Sequence, residues 1–322
     1  MTDVGSVITS DILPRVSATT DHAPMDRVVT QLMGEHPLDS VPMRWGFDAS
    51  TRLVTLVSGR RVVVQTRGRG PASGAIAGHV RDAARMLAAG GIRTPRLLGS
   101  SIRALDEVFV FELDDGVPGP ELLGDPSRAV RLAGAMGETA RSLAALPLDG
   151  WPRDGHWMSA DSVRQGCAGW LATMEDPTLD HDAAPAVVAA TPAAVAGAVG
   201  VLVGEGWVPV VCHGDYVPAN VLVAADGTLT LLDLAGVTVG HPLLDIAWWV
   251  LIVRHHHPGL AARLVPAFIA AAGVDPAVLT DGRLASVALL RATELAAGAP
   301  DRARREHHLR LQGSAMAWLE GS

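Results

Sequence analysis

Cys212-His213-Gly214-Asp215-Tyr216-Val217-Pro218-Ala219-Asn220-Val221-Leu222-Val223 is the stretch on which the fold turns, and Leu231-Leu232-Asp233 and Gly240-His241-Pro242-Leu243-Leu244-Asp245-Ile246-Ala247 follow it. An apolar strand, 208–212, runs into a polar loop that presents an acid, Asp215, and an amide five residues later, Asn220. A hairpin comes next, turning at Asp226-Gly227, and its return strand ends on a second acid, Asp233. Asp215, Asn220 and Asp233 are therefore expected at one end of one small sheet. Two carboxylates and an amide oxygen are hard ligands, suited to Mg²⁺ rather than to zinc.

Working outward, the 322 residues suffice for one large domain or two lobes around a cleft, and 48 % apolar content allows a substantial core. A net charge of −8 argues against nucleic acid as the main partner, because phosphate binding needs a concentrated basic face. All 26 basic residues are Arg, Asn220 is the single asparagine and Tyr216 the single tyrosine. Lys and Asn have AT-rich codons, so a GC-rich genome accounts for the bias, yet the one Asn sits in this loop. Cys167 and Cys212 have no metal or redox spacing and read as buried thiols in a reducing cytoplasm. Residues 1–23 lack the basic start and apolar run of a signal peptide, so a cytoplasmic location is expected.

Residues 183–203 are uncharged and long enough to span a bilayer. They are mostly Ala, however, and contain Pro185, Pro192, Gly197 and Gly200. Thr191-Pro192 reads as an N-cap with the first helical position, and Gly204 as the helix stop. A buried helix of about three turns is expected, with no membrane partner.

Residues 1 to about 24 read as flexible, and 24–35 as a short helix. Strand chemistry follows at 43–47, 52–57 and 61–66, with Ser58-Gly59 as the tight turn between the last two. A glycine-rich piece leads to a helix over 77–89, stopped by Gly90-Gly91, and then to strands at 96–100 and 108–113. Beyond Asp114-Asp115-Gly116-Val117-Pro118-Gly119, Ala- and Leu-rich helical stretches dominate: 126–146, 159–174, 192–203, 241–254, 260–272, 283–297 and 301–319. The expected architecture is α+β and bilobal. A small antiparallel-sheet lobe (1–113) joins a larger, mainly helical lobe (114–322), with the ligand cleft between them.

His-Gly-Asp-x-x-x-x-Asn from His213, an Asp closing a hydrophobic strand at 233, and Gly-x-Pro-x-x-Asp-Ile-Ala from Gly240 together resemble the catalytic core of the aminoglycoside phosphotransferase and choline kinase superfamily. The resemblance implies the protein-kinase-like fold, Mg²⁺, and ATP or GTP as phosphate donor to a hydroxyl group of a small molecule. Gly214 stands where protein kinases usually have Arg, which points to the small-molecule branch. By resemblance Asp215 orients the hydroxyl and accepts its proton, Asn220 and Asp233 hold the metal, and His213 and Asp245 brace the loop. Phe109 to Val117 resembles the hinge, which would set the backbone of Glu112 and Asp114 against the purine. The 46–51 turn resembles the phosphate-covering loop, with Ser50 and Thr51 as candidates.

The pattern departs at the third strand, where the family places a Lys, sometimes an Arg, paired with a Glu on the next helix. The expected position holds Gln65; Arg67 lies two residues on and faces the same side. Val80 falls near the helix Glu position, with His79 and Asp82 beside it. Three readings stay open: Arg67 or Arg69 supplies the cation, with Asp82 as partner; Gln65 hydrogen-bonds the phosphates; or the nucleotide site is degenerate. Retention of Asp215, Asn220 and Asp233 favours the first two together.

His255-His256-His257 suits a solvated helix end, and His241 a surface helix start. Glu175, Asp176, Asp180 and Asp182 read as a solvated acidic loop. Of Trp248 and Trp249 at least one is core; Trp249, Tyr216 and Glu294 are carried as substrate-pocket candidates, and Asp301 lies where the family contacts acceptors. The leading functional expectation is an antibiotic O-phosphotransferase serving resistance or self-protection. The alternatives are a metabolic kinase for a sugar, choline or homoserine, and a non-catalytic nucleotide-binding module. The residues indicate no oligomeric state.

Overall fold

The computed structural model describes residues 23–43, 50–68, 75–102, 106–153, 155–174, 184–202, 206–275, 279–299 and 301–322. It begins with helix α1 (Ala23–Met33) and strands β1 (Pro37–Pro42), β2 (Ser50–Leu56) and β3 (Arg61–Gly68). Helix α2 (Ala75–Ala89) and strands β4 (Leu97–Ile102) and β5 (Asp106–Glu112) complete the first lobe. The strands form one antiparallel sheet in the order β1-β2-β3-β5-β4.

Alternation along the strands sorts the side chains by face. Val54, Leu56, Val62, Val64, Val108 and Val110 pack with Val28 and Val29 of α1 in a small core of their own. The other face carries Val63, Gln65 and Arg67 beside Phe111, Phe109 and Glu107 of β5. Phe109 joins Ala77, Val80, Ala83 and Leu87 of α2 in a core that continues through the second lobe. The β2–β3 turn is made where expected, with Gly59 at φ 82°.

The first strand departs from expectation. It occupies Pro37–Pro42 instead of 43–47, of which 44–47 lie outside the described residues. Pro-Leu-Asp-Ser-Val-Pro has little apolar signal because β1 is an edge strand, where proline is tolerated. Arg52 supplies the missing hold, donating from Nε to Ser40 Oγ at 2.6 Å and from Nη2 to the Ser40 carbonyl at 2.7 Å.

The chain enters the second lobe through β6 (Val117–Pro118), α3 (Gly119–Leu122) and α4 (Pro126–Ala144). Asp125 caps α4 through the amides of Ser127 and Arg128, with Pro126 at the first position. Next come α5 (Ala160–Met174), α6 (Pro185–Leu202), β7 (Val210–Cys212), β8 (Val221–Val223), β9 (Leu229–Leu231) and β10 (Thr238–Gly240). Helices α7 (Leu244–His256), α8 (Pro258–Ala272), α9 (Asp281–Ala297) and α10 (Arg302–Glu320) close the lobe. Strands β6, β8 and β9 form one small sheet, while β7 pairs with β10. Residues 244–253 of α7 are all buried, so this helix is the axis of the lobe.

Two helices differ from their sequence expectation. Helix α6 starts at Pro185, so Pro192 lies inside it and Thr191 is no cap; the Thr191 hydroxyl donates to the Val187 carbonyl at 2.7 Å. By length and mean hydropathy, 1.8, α6 also meets the criteria for a membrane span, and only 22 % of it is buried. Its buried stripe, Thr191, Val195, Ala198 and Leu202, belongs to the lobe's packing against α5 and α9, and small residues fill much of the remainder. Helix α7 begins three residues after His241, because the Leu243 amide bonds the His241 ring and turns the chain first.

Glycine at 137 sets how closely α4 and α8 approach: a Cβ there would run into the Phe268 carbonyl oxygen. Gly137→Ala is expected to destabilise the protein by about 1–3 kcal/mol through overpacking. Urea denaturation checks this, and an unchanged midpoint would contradict it.

Candidate active site

The loop after β7 is built on a glycine with no substitute. Gly214 has φ 80°, and a Cβ there would collide with the Gly236 carbonyl oxygen. The buried carboxylate of Asp245, on the first turn of α7, accepts from the His213 amide at 2.6 Å and the Gly214 amide at 2.9 Å. Burial pushes the Asp245 carboxyl up, against the opposing pull of His213 and these two amides. His213, fully buried, accepts at Nδ1 from the Asp215 amide (3.3 Å), so its Nε2 is the donor to the Leu232 carbonyl at 2.8 Å. The ring thus ties the loop to the segment carrying Asp233.

Both oxygens of Asp215 hold a donor. Asn220 Nδ2 gives a hydrogen bond to Oδ2 at 2.8 Å, and Trp248 Nε1 one to Oδ1 at 2.9 Å. Asn220 Nδ2 also bonds the Asp215 carbonyl at 2.8 Å, which turns the amide oxygen outward as its remaining ligand atom. Asp233 stands at φ 53°, the one non-glycine residue with positive φ among those described. Arg67 Nη2 reaches it from β3 at 2.7 Å to Oδ1 and 2.9 Å to Oδ2, with both side chains mostly buried. Arg67 is thus the β3 guanidinium that meets Asp233. Asp82, offered as its partner, instead faces Arg85 on the exposed side of α2 at 3.6 Å.

A second guanidinium was not foreseen. Arg291 of α9 donates from Nη2 to the Gly214 carbonyl at 2.7 Å and from Nη1 to Glu294 Oε2 at 2.5 Å. Burial alone would lower its proton affinity, but Glu294, Asp215 and Asp245 outweigh burial and raise it. An Arg within an apolar helix, with Glu three residues on, was the available signal. It supplies from α9 a positive charge beside Gly214.

The remaining candidates divide. Gln65 is half-buried on the Arg67 face of β3, and Thr51 pairs with it across β2. Ser50 opens β2, but its side chain, like Arg69 and the acidic residues 175–182, lies outside the described residues. The Glu112 side chain bonds Arg96 at 3.0 Å. Asp114 bonds Arg93 from the first lobe at 2.5 Å and Thr230 from β9 at 2.9 Å, tying the segment after β5 to both lobes. Glu294 is shared between Arg291 and Trp157 Nε1, the latter at 2.8 Å. Asp301 caps α10 through the Arg304 amide.

Tyr216 and Trp249 do not line a pocket. Tyr216 is fully buried with its hydroxyl donating to the Met136 carbonyl at 2.7 Å, and Trp249 stacks on Phe268 at 3.9 Å. Trp248, the neighbour, is the tryptophan at the site. His241 is buried rather than on the surface, its ring edge-on to Trp207 at 4.5 Å. His255, His256 and His257 are half-buried rather than solvated, and His256 stacks on His307 of α10 at 5.6 Å.

A five-stranded antiparallel lobe over a helical one, with a loop acid, an amide and a strand-end acid brought together, defines a protein-kinase-like fold. The chain belongs to the phosphotransferase enzyme family, whose model matches residues 40–285. No curated protein matches it in sequence. Among solved structures, a thermostable mutant of the aminoglycoside phosphotransferase APH(4)-Ia gives a TM-score of 0.67 at 17 % identity, over 92 % of this chain and 98 % of that one. APH(3'')-Id from Streptomyces rimosus, in complex with ADP and streptomycin, gives 0.55 at 15 % over 92 % and 99 %. The amicoumacin kinase hAmiN, in complex with AMP-PNP, Ca²⁺ and Ami, gives 0.63 at 11 % over 92 % and 94 %. At these identities the likeness is one of fold.

Burial, reinforced by the charge of Arg283, pushes the His241 imidazole down to about 4. An unfolded imidazole titrates near 6.5. Between these values the unfolded chain binds a proton that the folded chain refuses, so stability is present above the upper value and lost as pH falls towards the lower. Denaturant melts from about pH 7 to about pH 4.5 should show that loss. His241→Asn, which keeps an acceptor for the Leu243 amide, should flatten the slope; an unaltered slope would contradict this.

Proposed function

We propose that this phosphotransferase moves the γ-phosphate of ATP or GTP to a hydroxyl of a small molecule, with an antibiotic as acceptor, for resistance or self-protection. The observation that supports the reading is that the Asp215–Asn220 pair and the Asp233–Arg67 pair, the last residue coming from the other lobe, are carried on segments tied together by the Leu232 amide on the Asn220 carbonyl at 2.9 Å and by His213 on the Leu232 carbonyl at 2.8 Å. That the similar structures of APH(3'')-Id and amicoumacin kinase hold ADP or AMP-PNP together with an antibiotic adds support at the level of fold.

The donor set suits magnesium. Asn220 Oδ1 and the Asp233 carboxylate are hard oxygens, and Mg²⁺ is ordinarily held by one or two carboxylates plus water and substrate phosphate rather than by an all-protein cage. Among the described residues no three His, Cys, Asp or Glu side chains form such a cage. Asp233 already binds a positive group, the Arg67 guanidinium. Asn220 and Asp233 would hold Mg²⁺, which when bound neutralises charge on the nucleotide phosphates.

The protein's own residues then position and move the proton. Arg67, beside Asp233, turns to a phosphate oxygen as nucleotide enters, taking the place of the family lysine. Asp215 orients the acceptor hydroxyl and accepts its proton as the acceptor oxygen bonds phosphorus. The bond from phosphorus to the bridging oxygen breaks, and the nucleoside diphosphate leaves. Asp245, His213 and Arg291 keep the loop in place throughout.

A panel of antibiotics with radiolabelled ATP and GTP tests donor and acceptor together. Asp215→Ala is expected to lower transfer by about 10²–10⁴-fold, the usual worth of a general base. Full activity in that variant would reject the reading. Arg67→Ala is expected to weaken nucleotide binding by about tenfold, the loss of one charge-assisted contact. Calorimetry checks it, and unchanged affinity would remove Arg67 from the nucleotide site.

A further inference from the structure

One face of α7 bonds the catalytic loop residue by residue. Asp245 takes the amides of His213 and Gly214, and Trp248, three positions later on the same face, donates its indole N–H to Asp215 Oδ1 at 2.9 Å. Trp248 is buried, 3 % exposed, so the donor end of the bond is shielded from water. Asn220 holds the other carboxylate oxygen. A carboxylate gripped at one oxygen can still rotate about χ2; gripped at both by donors from different elements, it has one orientation.

We propose that Trp248 is a positioning residue for phosphoryl transfer, fixing the plane of the Asp215 carboxylate so that a remaining lone pair meets the acceptor hydroxyl. Indole nitrogen has no acceptor function, so the bond is made to the carboxylate as a donor only, and persists while Asp215 takes the acceptor's proton. Asn220 does not do this alone, because it grips only Oδ2 and leaves Oδ1 to Trp248. Trp249 offers an internal contrast: same helix, same residue type, but its indole N–H meets Met136 Sδ at 3.3 Å and its ring serves the core.

This inference rests on the catalytic role proposed for Asp215, and its test separates the two. Trp248→Phe keeps the ring and removes the donor. It should lower kcat by about 10- to 100-fold while both KM values stay within about twofold, as expected for a group misaligned but not removed. Trp249→Phe should cost stability and spare kcat. Independently of activity, the indole ¹⁵N–¹H resonance of Trp248, assigned as the one missing in Trp248→Phe, should move in Asp215→Ala. Wild-type kcat in Trp248→Phe, or an acceptor KM raised at unchanged kcat, would overturn the proposal. Should Trp248→Phe fail to fold, assignment by the other seven Trp→Phe variants, from the 8 tryptophans of the chain, leaves the resonance readable, and an unmoved signal overturns it. Should no acceptor be phosphorylated, the functional reading fails while the resonance still decides whether the bond exists.

Discussion

The structure depends on one buried carboxylate binding two consecutive backbone amides. Asp245 has no solvent to stabilise its charge, and the His213 and Gly214 amides, with His213 and Arg291 nearby, supply the substitute. Because the donors are backbone groups, the bond dictates the path of the chain and not merely a rotamer. It holds Gly214 in a conformation open to glycine, and so decides where Asp215 begins.

Around it the charges are arranged as a closed set. Arg291 lies among Glu294, Asp215 and Asp245, and bonds the carbonyl of the same Gly214 whose amide Asp245 holds. The peptide units on both sides of Gly214 are thus clamped by α7 and α9. Breaking one member would strand a buried charge, which costs more than the pair is worth when intact. Between the lobes the connection is of another kind. Arg67 to Asp233 is a side-chain ion pair, whereas the Leu231 amide on the Arg93 carbonyl at 2.9 Å is a backbone tie.

The legible part of the fold was the part made by local chemistry. The strand-end acids, the Asp226-Gly227 turn and the α7 run are each recorded in contiguous residues, since backbone spacing and hydrophobic period are short-range properties. The first strand was missed because an edge strand needs no apolar face, and its anchor is Arg52 twelve residues away. Helix α6 begins about two turns before its apparent cap, because Thr191 can satisfy its hydroxyl within the helix as well as at its start.

From the chain alone came the bilobal α+β plan, the identity of the loop acid, amide and strand-end acid, and the absence of lysine from the third strand. Those follow from residue type and spacing. Which of two adjacent tryptophans faces the acid, that Arg67 meets Asp233 across 166 residues and not Asp82 close by, and that an arginine from α9 stands beside Gly214, came only with packing. The reason is physical: neighbours in sequence point about 100° apart on a helix, and which direction finds a partner is settled by elements that the intervening chain brings from far away.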